Sequence, residues 1–166
     1  MLSSSQSYRL QYQHQSIREL VNGLTGEQLH HPVNPGKWSV HQNIAHLYSY
    51  QPVFLSRIKR IIQENEPAFE RHVADTDPAF LEAAERPTGE LVAQLGKERE
   101  EITAYLLSME DKLLERVGLH PKYGRLTVVQ WLEFFLLHEA HHLFTIFMLT
   151  SGLRTMQVPE ITTFTK

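Results

Sequence analysis

The stretch Leu126 to Gly152, LTVVQWLEFFLLHEAHHLFTIFMLTSG, constrains the fold more than any other, because it reads as one long apolar helix with imidazoles set into its middle. On a wheel of 3.6 residues per turn, Trp131, Phe135, His138, His142, Ile146 and Leu149 share one inward-facing sector. The two histidines therefore point at the core. They stand four residues apart, the spacing at which two side chains lie one turn above each other and can close on a single ion. Thr127 followed three residues on by Gln130 supplies a capping box, and Gly152 supplies a stop.

Three further helices precede it. A first runs from about Ser5 to Leu24 on Tyr8, Tyr12, Ile17, Leu20 and Val21, and ends at Gly23 and Gly26. A turn-rich connection then leads to Ser39, which with Gln42 forms a second capping box; Val40, Ile44, Leu47, Phe54, Ile58 and Ile62 continue it as a broad stripe. Pro52 falls inside that stripe and predicts a kink near Tyr48 to Pro52. Residues 65–87 form a long crossover with a short helix around Pro78 to Glu85. Thr88 opens another helix, whose apolar face is Leu91, Leu95, Ile102, Tyr105, Leu106 and Met109. Lys97, Glu98, Arg99, Glu100 and Glu101 read as its wet face. The sequence LHPKYGRL predicts a turn into the last helix, and no strand pair is convincing. Four long helices with longer connections make an all-α four-helix bundle over residues 1–154, with a non-periodic tail at 155–166. Bundles of this kind build metal and ligand sites from side chains on facing helices.

Composition narrows the chemistry. At 166 residues and 42% hydrophobic content the chain can bury a core without staples, and it has no cysteine, so any metal is held by His, Asp or Glu and any reactive thiol comes from outside. The absence of thiols and of an apolar leader core fits a cytoplasmic protein, and no uncharged apolar run reaches the ~18 residues of a membrane span. A formal charge of −3 argues against a nucleic-acid partner, and Arg57, Lys59 and Arg60 read as a solvated helix face. Phe134 and Phe144 lie on flanks of the stripe that Trp131 and Phe135 share, so these four aromatics divide between the core and an exposed face suited to a partner copy.

A working metal site wants a third ligand beside His138 and His142. His46, about two turns into the second long helix, is the choice, although it lies on the border of that helix's stripe, roughly 100° from its centre. His41 and His141 are the nearby alternatives. Taken singly, a histidine on an apolar face is usually a hydrogen-bonded core residue; several buried together without partners would each cost on the order of 1–3 kcal/mol, which a shared divalent ion offsets. His138-Glu139-Ala140-His141-His142 also satisfies the zinc-peptidase pattern H-E-x-x-H, with Glu139 as a possible general base. That pattern is short, its downstream partner could only be Glu160 in the tail, and no strand is available for a peptide to lie along. Glu139 turned away from the ion is the better reading.

The segments WSVHQNIAHL and HPKYGRLTVVQWLEFFLLHEAHHLFTI resemble the DinB/YfiT-like superfamily, and the likeness covers nearly the whole chain. The resemblance implies an up-down-down-up four-helix bundle, a three-histidine metal centre whose ligands fall on His46, His138 and His142, and a homodimer. It matches Trp38 to a core anchor and Ser39 to the helix cap, while the family often carries an acidic residue where this sequence has Gln42 or Asn43. It further implies a transferase that uses a small thiol such as bacillithiol, mycothiol or glutathione. With imidazole ligation, Zn²⁺ and Ni²⁺ are the expected ions. A cation that lowers a thiol's pKa from about 8.5 is the physical case for that activity. A hydrolase that activates water on the ion is the second reading, and a non-enzymatic, metal-stabilised stress-response or binding protein the third.

Overall fold

The structure, a computed structural model, describes residues 1–155. Positions 156–166, which hold nearly all of the expected tail and Glu160 with it, lie outside the described residues.

Helix α1 (Ser4–Tyr12) starts on Ser3 and Gln6, whose side chains each bond the other's backbone amide. The single first helix expected from periodicity is in fact two. A 3-10 turn at Gln13–Gln15 separates α1 from α2 (Ser16–Val21), and there the Gln13 amide turns inward to the Leu136 carbonyl and the Glu139 carboxylate, both at 2.9 Å. Leu10 and Ile17 on either side of the turn are both fully buried. After the short α3 (Gly26–His30), α4 (Val40–Gln63) begins on the Ser39–Gln42 box and runs unbroken through Pro52, which is exposed. The short helix of the crossover is α5 (Pro78–Ala84), with Asp77 capping it and Pro78 in its first turn. Helix α6 (Thr88–Leu107) starts at the expected residue, and a single turn, α7 (Asp111–Leu114), follows it.

Next comes the feature that periodicity did not suggest, an antiparallel hairpin of β1 (Val117–His120) and β2 (Gly124–Thr127). Four residues per strand are too few to display alternation, and the hairpin is held by contacts from elsewhere in the chain. The Leu119 carbonyl accepts from the Phe69 amide at 3.1 Å, and the Leu119 amide donates to the Pro67 carbonyl at 2.8 Å. Gly118 is needed for close approach: a Cβ there would stand 2.7 Å from Ile61 Cγ1 and 2.9 Å from Phe69 Cε2. The turn closes on Gly124 at φ 70°, a left-handed conformation that glycine adopts without strain.

Helix α8 (Val128–Thr155) opens on the Thr127–Gln130 box and does not stop at Gly152. Gly152 has no positive φ, and among the described residues Val33 alone stands near its missing Cβ, at 3.7 Å, so it is an ordinary helical residue here.

Helix α4 packs against α5, α6 and α8; α1 lies against α6 and α8, and α2 against α8. The result is a mostly helical bundle with two apolar clusters. One gathers Leu10, Phe54, Ile58, Ile102, Trp131 and Phe135, the other Ile17, Ile44, Leu47, Leu95, Ile146 and Leu149. Burying each such side chain contributes ~1.5–3 kcal/mol. Between the clusters runs a belt of polar groups: Asn43, His46 and Gln51 on α4, Arg99 on α6, and Glu139 and His142 on α8, all buried. No helix among the described residues is long and apolar enough to cross a membrane.

Candidate metal centre

The belt divides into two constellations on opposite flanks of α8, because residues 138 and 142 share one side of that helix while 139 is rotated from it by ~100°. On the first flank, His46, His138 and His142 each offer a ring nitrogen, and these atoms all lie within 4.8 Å of one another. The His46 Nε2 to His138 Nε2 distance is 3.0 Å, and two imidazole nitrogens on one tetrahedral zinc stand ~3.3 Å apart, so the rings need to open by only a few tenths of an ångström. His46, on the border of its stripe by sequence, faces inward at 5% exposure because α4 is covered from several sides along its first half.

The third ring is oriented by a chain of hydrogen bonds. Asn43 Nδ2 donates to the Ser39 carbonyl at 2.8 Å, which fixes the amide so that its oxygen faces His142; His142 Nδ1 then donates to Asn43 Oδ1 at 2.8 Å. The proton is thereby held on Nδ1, and Nε2 presents a lone pair to the other two rings. Asn43, to which the sequence assigned no role, thus orients a ligand ring. Its signal was position, three residues after Val40 and three before His46 on the inward face. His46 Nδ1 and His138 Nδ1 are buried and have no hydrogen-bond partner among the described residues.

Burial and mutual repulsion keep all three rings neutral, the state a metal ligand requires. Burial is the main cause in each case, and it lowers His46 to about 3, His138 to about 4 and His142 to about 2; neighbouring imidazoles add to each. The alternatives considered from sequence lie elsewhere. His41 is tied to the Thr88 hydroxyl at 2.8 Å and the Ala84 carbonyl at 2.9 Å, and His141 is exposed.

On the other flank, Glu139 is not available as a general base. Its oxygens accept from Arg99 at 2.5 and 3.2 Å and from Gln13 at 2.9 Å, and both members of the ion pair are 1% exposed. The peptidase reading of H-E-x-x-H therefore fails in three dimensions. Arg99 also corrects the expectation of a wet face on α6: it donates to Gln51 Oε1 at 3.1 Å and lies over the Phe135 ring at 4.8 Å. Its signal was spacing, since Leu95, Arg99, Ile102 and Leu106 form one continuous stripe.

The three rings open into a cavity of about 730 Å³ walled by Trp38, Tyr50, His72, His120, Tyr123 and Phe134, among others. Trp38 is half-buried between core and cavity: it stacks on the buried Phe80 ring at 5.0 Å, its ring lies 5.1 Å from His46, and its indole N–H donates to Asp75 at 3.0 Å. Phe134 faces the same cavity, whereas Trp131 and Phe135 are core and Phe144 is 63% exposed. His72, from the crossover, stands 3.5 Å from Asp77, and burial lowers its pKa while Asp77 opposes that shift. Arg57 also lines this space, contrary to its reading as part of a solvated face; Lys59 and Arg60 are exposed as expected.

Fold and site together define a helical-bundle protein with a candidate three-histidine metal centre at the floor of an open cavity. The chain belongs to the DinB superfamily, which matches residues 9–146. It is 30% identical to the uncharacterized protein YuaE of Bacillus subtilis (strain 168) over 135 residues, 74% of this chain and 83% of that protein. Its fold is that of YfiT from Bacillus subtilis, described as a probable metal-dependent hydrolase with an unusual four-helix bundle topology. The TM-score is 0.78 at 22% identity, covering 94% of this chain and 90% of YfiT.

Proposed function

We propose that this chain is a metal-dependent enzyme in which His46, His138 and His142 hold a divalent ion, Zn²⁺ or Ni²⁺, and that it transfers a small thiol to an electrophilic substrate. The observation that carries the metal assignment is the convergence of three neutral imidazole nitrogens within 4.8 Å, one of them with its tautomer set by Asn43. When bound, the ion supplies a Lewis acid that favours the thiolate over the thiol. The chain's own residues do the rest. The aromatic walls Trp38, Tyr50 and Phe134 limit water around the reacting sulfur, and the cavity admits both reactants. The thiol's proton leaves to solvent, the sulfur–carbon bond forms, and the leaving group departs with its electron pair. With Glu139 held by Arg99, the ion alone has to deprotonate the nucleophile in either reaction, and a thiol, with an ordinary pKa of about 8.5, yields its proton more readily than water at about 15.7, which favours thiol transfer.

Hydrolysis is the second reading, and the description of YfiT as a probable metal-dependent hydrolase supports it. A homodimer is part of the proposal, supported by the exposed apolar Leu137, Phe144 and Met148 along one side of α8. The test uses untagged protein. Elemental analysis reads near one equivalent of transition metal; less than about a tenth, with no uptake on reconstitution, rejects the metal assignment. Loaded protein is then mixed with bacillithiol, mycothiol, glutathione or cysteine and monochlorobimane, beside His142→Ala. Metal-dependent conjugation lost in His142→Ala supports transfer, whereas ester or amide cleavage without thiol supports hydrolysis. If neither occurs and removing the ion lowers the melting temperature by several degrees, the ion is structural.

A further inference from the structure

The far wall of the cavity holds a cation that the metal chemistry does not use. Arg57 is half-buried, and rings surround its guanidinium: the central carbon lies 5.9 Å from the Tyr50 ring centroid, 5.6 Å from Phe69 and 5.6 Å from Trp131. Among the described residues its N–H groups have two partners, the Tyr50 hydroxyl at 3.1 Å and the Glu70 carbonyl at 2.9 Å. A guanidinium carries five donors. Among the described residues no carboxylate pairs with it, in contrast to Arg9, Arg60, Arg86 and Arg99, each of which has one. Arg71 and Lys122 line the same end and are likewise without an ion pair among the described residues. The acidic residues of the wall do not neutralise Arg57: Asp75 receives the Trp38 indole N–H, and the exposed Glu70 approaches Arg57 through its backbone oxygen alone.

A half-buried guanidinium flanked by three aromatic rings, with donors unused among the described residues and a cavity in front of it, suits a planar anion. We infer that Arg57 is the recognition residue for a carboxylate on the small molecule that reacts at the three-histidine site. This rests on the metal-centre reading for where the reacting end of that molecule lies. The spacing is set by one side chain: the Tyr50 ring is 4.9 Å from the His138 ring on one side, and the Arg57 guanidinium touches its hydroxyl on the other. The substrate is thus a carboxylate whose reactive group stands about one tyrosine ring away from it, and Arg71 and Lys122 at the rim draw it in. The carboxylate belongs either to the thiol or to the molecule the thiol or water attacks, and the two sources separate experimentally.

Binding is read by tryptophan fluorescence, which needs no turnover and works on both metal-free and zinc-loaded protein because Trp38 lines the cavity. One pair of probes is 3-mercaptopropionate and 3-mercaptopropionamide, the other monomethyl succinate and dimethyl succinate. Wild-type protein binds the charged member of at least one pair about tenfold more tightly than the neutral member, as a charge-assisted bidentate contact would give. Preference within the thiol pair places the carboxylate on the thiol; preference within the ester pair places it on the electrophile. Arg57→Gln abolishes the preference while binding of the neutral member changes less than twofold, and Arg57→Lys keeps part of it. Melting curves on both variants show that the fold is retained. Equal binding of charged and neutral probes by wild type, or a preference that survives Arg57→Gln, overturns the inference. If metal uptake fails but the Arg57-dependent preference stands in metal-free protein, the metal-centre reading falls alone.

Discussion

Replacing Glu139 with glutamine separates the two meanings of the HEAHH segment. As a general base Glu139 would leave the fold intact when changed to Gln and activity would collapse. The geometry says the reverse comes first. Glu139 and Arg99 are each 1% exposed, and the substitution leaves a buried guanidinium without its counter-charge. Breaking such a pair from one side costs ~3–5 kcal/mol. The lower end applies here, since Arg99 keeps Gln51 Oε1 at 3.1 Å and the Leu10 carbonyl at 3.4 Å as acceptors. A loss of about 3 kcal/mol in a chain of this size corresponds to a fall in melting temperature of roughly 6–12 °C. Urea titration with a constant m-value gives the free energy directly. Removing both charges together, as Arg99→Met with Glu139→Leu, recovers most of the loss because no unpaired charge then remains. Metal content per folded protein stays at the wild-type value in both variants. A Glu139→Gln protein within about 1 kcal/mol of wild type, or one that folds normally but no longer takes up metal, would refute this account of the belt.

Asn43→Leu, which removes the acceptor for His142 Nδ1, should weaken metal binding about 10–100-fold in chelator competition, and unchanged affinity would show that the ring is oriented by packing alone. The metal-free protein should lose stability as the medium is acidified. His14, His46, His138 and His142 fall to about 4, 3, 4 and 2 when folded, chiefly by burial, against 6.5 when unfolded, so the unfolded chain binds more protons in between. Their contribution is complete above 6.5 and declines as pH drops toward those folded values, and denaturation midpoints that stay flat from pH 7 to about 4.5 would contradict it. Gly118→Ala should destabilise by ~1–3 kcal/mol through the 2.7 Å approach to Ile61, and a neutral result in thermal melts would mean the hairpin can shift away from α4. Phe144→Glu should convert a dimer to monomer in sedimentation at fixed concentration, and no change in mass would remove α8 from the interface.

Much of this was legible from local sequence. Capping boxes at Ser39–Gln42 and Thr127–Gln130 locate the starts of α4 and α8, and the period of the apolar residues identifies the inward face of each. The i, i+4 pair of His138 and His142 follows from helix geometry alone. What was hidden depends on partners far away in the chain. The hairpin at residues 117–127 has strands too short to show a period, and it exists because Phe69, Pro67 and Ile61 receive it. Gln13 interrupts the first helix because Leu136 and Glu139, over a hundred residues on, accept its amide. The inward turn of His46, which the sequence placed on the border of its stripe, the orienting role of Asn43, the pairing of Arg99 with Glu139 and the placement of Arg57 in the cavity wall were likewise decided by packing. Periodicity states which side chains point inward, because that is a property of one helix. Which inward-pointing charges and imidazoles face each other is a property of how α4, α6 and α8 are rotated and juxtaposed, and only the folded bundle sets that.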